Sequence, residues 1–189
     1  ESKKPISWLD VGAGYGEFVE AISSIAPQWQ IEGLEPMKHK ADAAKKRGLN
    51  IKEIYLSSVK ERYDVLSIIN VFSHIPDFNI FLEDIKRVLK KNGELFLETG
   101  NAGDLISYRE VPNQLNLPDH LVFAGTKNLI EFLNNAGFSV VYIKKMRVDG
   151  LILFLKNVVK KLIGRKITLA IPYTSRYRTL LIRAKLLED

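Results

Sequence analysis

Leu9-Asp10-Val11-Gly12-Ala13-Gly14-Tyr15-Gly16 is the stretch that decides the fold: a short apolar strand breaks into three alternate glycines and opens a helix. Residues 6–11 read as the strand. Residues 16–26 place Phe18, Val19, Ile22 and Ile25 at helical spacing before Pro27 stops them. Glycines reach backbone dihedrals closed to other residues and, lacking a Cβ, let a ligand approach the main chain. The loop therefore reads as a cofactor cradle. A dinucleotide loop would be G-x-G-x-x-G, but here the third glycine falls one place early and Glu17 stands in the sixth position. An anionic Glu17 would also compete with a pyrophosphate for the positive end of the helix.

Outward from the loop, strand-like and helix-like segments alternate, the signature of a parallel sheet covered by helices on both faces. Residues 31–34 form a second strand, 37–47 an Ala- and Lys-rich helix ending at Gly48, and 51–56 a third strand. Residues 64–71 are nearly continuous in apolar side chains, as a central strand buried on both faces requires. Asp77 opens a helix with Phe78, Phe81, Leu82, Ile85, Val88 and Leu89 on one stripe, closed by Asn92 and Gly93. Residues 94–99 are the fifth strand. A polar stretch of 26 residues, 100–125, is longer than ordinary connections and reads as a functional or disordered loop. Helix 126–137, with capping residues at both ends, and strand 138–144 follow; 177–186 is a seventh strand. The expected fold is α/β, an open sheet of about seven strands, mostly parallel with an antiparallel last strand.

The 189 residues, 46% hydrophobic and 26% charged, suit one domain spanning 1–189. The abrupt start on a strand leads us to expect further residues upstream. Without cysteine there is no disulfide framework or thiolate metal site, and His39, His74 and His120 show no metal-ligand spacing, so no metal is expected. The longest purely apolar run, 151–155, is far short of the ~20 residues of a membrane-spanning helix, and no signal peptide is evident, so a cytoplasmic location is expected. The net charge of +6 is uneven. Residues 1–143 hold 16 basic and 19 acidic side chains, whereas 144–189 hold 12 basic and 3 acidic.

The pattern D-x-G-x-G-x-G, formed by Asp10, Gly12, Gly14 and Gly16, resembles the first motif of class I S-adenosylmethionine-dependent methyltransferases of the small-molecule type. The resemblance implies a Rossmann-like sheet and S-adenosyl-L-methionine as cofactor. By it, Asp10 helps hold the cofactor's amino group while the loop backbone, Ala13 included, faces its methionine part. Glu35 closes the second strand about 20 residues after the loop, where a carboxylate can accept hydrogen bonds from both ribose hydroxyls. Glu35-Pro36 looks like the family's ribose-binding position. After the third strand the family often carries an acid beside an apolar residue. This chain has Leu56-Ser57-Ser58-Val59 instead, so Ser57 or Ser58 would have to meet the adenine. Asn70, in Ile69-Asn70-Val71-Phe72-Ser73-His74-Ile75, is similar to the family's contact to the methionine portion, and His74 to a residue bordering the methyl donor. The similarity runs over residues 6–138.

Methyl transfer needs chiefly a positioned acceptor and a water-excluding site, and a hydroxyl acceptor gains from a base of near-neutral pKa. His120, in Asp119-His120-Leu121-Val122-Phe123, is the candidate base; packing of the loop onto Phe123 is its alternative role. Tyr108, Arg109, Asn113 and Gln114, with His74, are candidate acceptor contacts, Arg109 suiting a phosphate or carboxylate. Between the last two strands, 147–176 is a basic insertion. Leu151, Leu155, Val158, Val159 and Leu162 make an apolar helical stripe with Lys156, Lys160 and Lys161 apart from it. Such a helix reads as a cover for the site or as a membrane-surface contact through 151–163. The expected acceptor is a small molecule: a sugar, a phosphorylated glycan precursor or a lipid-like metabolite, acidic or lipid-linked. Nucleic acid is the alternative acceptor, disfavoured because no Asn/Asp-Pro-Pro-aromatic tetrapeptide follows the fourth strand and no cysteine is present. A non-catalytic binding domain that retains the fold is the third reading.

Overall fold

A computed structural model of the chain describes residues 5–104, 120–147 and 177–187. The elements run β1 (Ser7–Val11), α1 (Glu17–Ile25), β2 (Gln30–Leu34), α2 (Lys38–Lys46), β3 (Ile51–Lys52), β4 (Tyr63–Ile69), α3 (Phe78–Val88), β5 (Leu89–Gly100), α4 (Thr126–Asn135), β6 (Phe138–Arg147) and β7 (Tyr177–Leu186). They form one seven-stranded sheet in the order β3-β2-β1-β4-β5-β7-β6. β1 pairs in parallel with β2 and β4, and β4 with β5, while β7 lies antiparallel between β5 and β6. The expected α/β sheet with an antiparallel last strand is what forms.

Strand alternation sorts the core onto two faces. Leu9 and Val11 of β1, Leu66 and Ile68 of β4, Leu95 and Leu97 of β5 and Leu180, Ile182 and Ala184 of β7 pack with the apolar stripes of α3 and α4. The intervening residues face α1 and α2. There Trp8 meets Phe18 edge-on, Phe18 stacks on Phe96, and Val19, Ala41 and Ala44 close over Ile31 and Ile51. The strand order reverses direction beside β1, so the crevice at the C-terminal ends of β1 and β4 is where a ligand is expected in such a sheet.

Two boundaries that shape the site differ from the sequence reading, beside shifts of a few residues at other element ends. β3 ends at Lys52 rather than at residue 56, and Leu56–Ser58 is a 3₁₀ turn. Leu56 and Val59 turn inward to join the core beside α3, and the Arg87 guanidinium of α3 donates to the carbonyls of Leu56 (3.1 Å), Ser57 (3.3 Å) and Val59. α3 ends at Val88, not at Asn92-Gly93. Leu89 already pairs with Tyr63, and Asn92, at φ 60°, turns the chain within β5 where the β4 register shifts. Lys90 reaches from there to Asp64 (2.7 Å) and the Ser7 hydroxyl (3.0 Å).

The described ends of the 100–125 stretch are fastened together. Gly103 N–H donates to Ala124 C=O at 2.7 Å, and the two glycines 103 and 125 touch so closely that a Cβ on Gly103 would lie 2.5 Å from Gly125 N. The first N–H of α4 is satisfied from across this junction: Asp104 Oδ1 accepts from Thr126 N–H at 2.7 Å, its second oxygen takes the Thr126 hydroxyl, and Lys145 approaches at 2.8 Å. Burial alone would raise the Asp104 carboxyl, but the Lys145, Thr126 and Asn101 hydrogen bonds outweigh it and bring it down to about 2. Asp104→Ala is therefore expected to cost about 1–2 kcal/mol at pH 7, the usual loss of a helix cap. Because the folded value lies below the unfolded one of ~3.9, that contribution is present above pH 4 and lost as pH falls toward 2. In urea melts from pH 7 to 2.5 the gap between the proteins should close at the acid end; a constant gap would contradict the assignment.

Candidate functional site

The glycine loop is shaped by its own hydrogen bonds. Gly12 and Ala13 both donate to Leu34 C=O (2.9 and 2.8 Å), Gly16 donates to Ala13 C=O (2.8 Å), and Gly14 donates to the Glu35 carboxylate (2.9 Å). Gly12, Gly14 and Gly16 hold left-handed φ of 73°, 57° and 84°, and this positive φ requires glycine. With those four N–H groups committed, the loop is no anion nest. Glu17 and Glu20 in the first turn of α1 further oppose a phosphate there. The carboxylates around the loop, Glu17 and Glu20 of α1 and Glu35 after β2, suit a cationic amino group.

Glu35 is 5% exposed at the end of β2. Pro36 has no N–H to give, so the carboxylate takes the next one, Met37 N–H, on Oε1 at 2.8 Å, while Oε2 holds Gly14 N–H. A carboxylate has roughly four lone-pair sites. Two are spent on orientation and two remain, the number a vicinal diol needs. Arg47 Nη1 donates to Tyr15 C=O at 2.9 Å and its second nitrogen pairs with Glu20, tying the loop to the end of α2.

Asp10 lies beneath the loop at 2% exposure, its Oδ1 accepting from Ser67 Oγ at 2.5 Å; Ser67 in turn accepts from Trp8 Nε1–H at 2.9 Å. Burial pushes the Asp10 carboxyl up to about 7, with the Ser67 bond acting the other way. A cation beside it would favour the ionised form.

Ser57 and Ser58 are exposed on the 3₁₀ turn that Arg87 secures. Asn70, just after β4, holds φ 55°, an uncommon conformation for a non-glycine residue, and its N–H donates to Glu98 C=O at 2.9 Å. Val71 follows and packs on the loop: a Cβ on Gly12 would fall 2.4 Å from Val71 Cγ2. The next turn, Phe72–His74, accepts Leu121 and Val122 N–H on Ser73 C=O (2.7 and 3.2 Å). That clamp brings His120 against His74, with ring centroids 5.0 Å apart, and against Phe123 at 6.4 Å. Asp10, the loop, Glu35 and Asn70 thus meet at one end of the sheet, and the two histidines adjoin through the segment after β4. Tyr108, Arg109, Asn113 and Gln114, and residues 148–176 of the insertion, lie outside the described residues.

Glu98 was not anticipated. It shares the sheet face of Asp10, Ser67 and Phe96, one pleat further toward the C-terminal ends of the strands, and burial raises its carboxyl pKa. Its only signal in the sequence is an acid interrupting the apolar run of β5.

A family model described as a methyltransferase domain matches residues 1–143. Over 106 residues the chain is 26% identical to a ubiquinone biosynthesis O-methyltransferase of Pelagibacter ubique, an overlap of 52% of this chain and 43% of that protein. A protein of the same name from Bradyrhizobium diazoefficiens is 29% identical over 104 residues, 49% of this chain and 39% of that one. The chain thus spans less than half the length of these curated relatives. Among solved structures, the O-methyltransferase of a trans-AT PKS multienzyme of Brevibacillus brevis, in complex with S-adenosyl-L-homocysteine, matches with a TM-score of 0.66 and 18% identity, covering 96% of this chain and 67% of that chain.

Proposed function

The chain belongs to the methyltransferase-domain family, and from that premise we propose that it binds S-adenosyl-L-methionine and methylates a hydroxyl of a small-molecule acceptor. The observation that carries this reading is the Gly14–Glu35 link: a glycine loop closed to phosphates, locked to a buried carboxylate with two acceptor sites left for a ribose. The name O-methyltransferase borne by the relatives supports oxygen as the acceptor atom. We treat residues 1–189 as one catalytic domain.

When bound, the cofactor supplies a methyl carbon activated by its sulfonium. The chain's part is to hold and orient. Glu35 takes the ribose hydroxyls, Asp10 and the loop carbonyls face the amino group, Asn70 lies beside the methionine portion, and Ser57 or Ser58 meets the adenine. An imidazole nitrogen of His120 accepts the acceptor's hydroxyl proton, and His74 borders the same space. A positioned base contributes about 10²–10⁴-fold, so His120→Ala is expected to lower kcat by about two orders of magnitude. An unchanged rate in that variant would eliminate the role.

Tyr108, Arg109 and Asn113 are further acceptor contacts in this reading. The lysines at 156, 160 and 161, set apart from the apolar stripe in the sequence, support a peripheral contact of 151–163 with an anionic inner membrane surface, at a cytoplasmic location. Among the described residues no helix is long and apolar enough to cross a membrane. The intact protein should co-sediment with phosphatidylserine vesicles and lose that binding on replacing the three lysines with alanine. Equal sedimentation would remove the contact.

A further inference from the structure

A cavity of about 220 Å³ opens behind the turn that follows β4, between the start of α3 and the first half of α4. Four phenyl rings, Phe72, Phe78, Phe123 and Phe132, wall it with Leu129 and Val122. Phe72 and Phe78 stand edge to face with centroids 4.3 Å apart and an interplanar angle of 82°, and Phe132 lies 5.3 Å from Phe78. None of the lining residues is charged, and Asn128, exposed at the mouth, has the one polar side chain among them.

We propose that this cavity seats a single aromatic ring, the body of a phenol-class acceptor, with its hydroxyl left at the mouth. The inference rests on the reading of the protein as a methyltransferase and names its acceptor class. A cavity of about 150 Å³ lined by similar side chains holds benzene, so this one has room for a ring and a small substituent. Ring edges and faces presented by four phenylalanines favour another aromatic ring. A sugar or phosphate placed inside would leave its polar groups without partners, at a cost no contact here offsets. Of the acceptor classes expected from the sequence, only the apolar, lipid-like one is compatible with these walls.

Placement agrees with the chemistry. Phe72 is the residue after Val71, which packs on Gly12 of the glycine loop, so one residue separates the cavity wall from the cofactor cradle. At the other side Phe123 touches the His120 ring, which adjoins His74. In the proposal the hydroxyl leaves the cavity on this side, past Phe123 and toward the histidine pair.

The test is an NMR titration of the intact protein with phenol, benzene and glucose 6-phosphate, alongside calorimetric titration with S-adenosyl-L-homocysteine. Phenol and benzene should bind saturably and shift the resonances of Ala124, Leu129 and the Asn128 side-chain amide; glucose 6-phosphate should not. Ala124→Leu fills the cavity, and Asn128→Phe plugs its mouth from an exposed position that leaves the core untouched. Either should weaken phenol at least tenfold while S-adenosyl-L-homocysteine binds as before. Phenol shifts located elsewhere, phenol affinity unchanged in a folded variant, or glucose 6-phosphate on the same resonances would overturn the proposal. Loss of S-adenosyl-L-homocysteine binding by the unsubstituted protein, with phenol still seated, would instead overturn the methyltransferase reading alone.

Discussion

Gly12→Ala is expected to abolish S-adenosyl-L-homocysteine binding, with affinity falling at least about a hundredfold, equivalent to roughly 2.7 kcal/mol. Two effects add. The left-handed φ of 73° costs a residue with a Cβ about 1–2 kcal/mol, and the Cβ itself would sit 2.4 Å from Val71 Cγ2. Val71 is β-branched and stiff at χ1, so relief must come from the backbone between Asn70 and Phe72, where the proposed methionine-side contact and acceptor-side turn lie. The variant should also melt several degrees lower. Gly14→Ala is the contrast: its Cβ would meet nothing within 4 Å, so only the backbone strain applies and the melting temperature should move less. Calorimetric titration and thermal melts check both. Normal affinity in Gly12→Ala would mean that the loop is only a tight turn.

Glu35→Gln is expected to be nearly as damaging as Glu35→Ala, each weakening S-adenosyl-L-homocysteine about a hundredfold. The carboxylate accepts Met37 N–H on one oxygen and Gly14 N–H on the other. A carboxamide has a single acceptor oxygen, so in either orientation its NH2 group faces a backbone N–H. One charge-assisted hydrogen bond is lost and a donor is left unsatisfied, together about 3 kcal/mol. The loop then loses its anchor to β2, and the ribose hydroxyls lose an acceptor. Unchanged affinity in Glu35→Gln, measured by the same titration, would place the ribose elsewhere.

What the sequence made legible was local. Three alternate glycines after an apolar strand, an acid ending the next strand and an almost unbroken apolar run in β4 each follow from backbone dihedrals or periodicity, and they led to the α/β sheet with its antiparallel β7. What it hid was tertiary. β3 stops at Lys52 because Arg87, about thirty residues away, satisfies the carbonyls of the turn that follows. Asn92-Gly93 has the chemistry of a helix C-cap yet kinks a strand, because Leu89 is claimed by Tyr63. The carboxylate that takes the first N–H of α4 is Asp104, not a neighbour in sequence. His74 and His120 meet only through two N–H bonds to Ser73 C=O. Glu98 is conspicuous only once the strands are in register and its carboxyl is placed one pleat beyond Asp10.

The central claim is that this crevice holds S-adenosyl-L-methionine through Glu35, the glycine loop and Asp10. Calorimetric titration of the intact protein with S-adenosyl-L-homocysteine at pH 6 and pH 8 tests it most directly. The account predicts one site per chain, bound more tightly at pH 8, because an amino cation favours the ionised form of a carboxyl held at about 7. The pH dependence should be absent in Asp10→Asn. No binding at millimolar ligand at either pH would contradict the account.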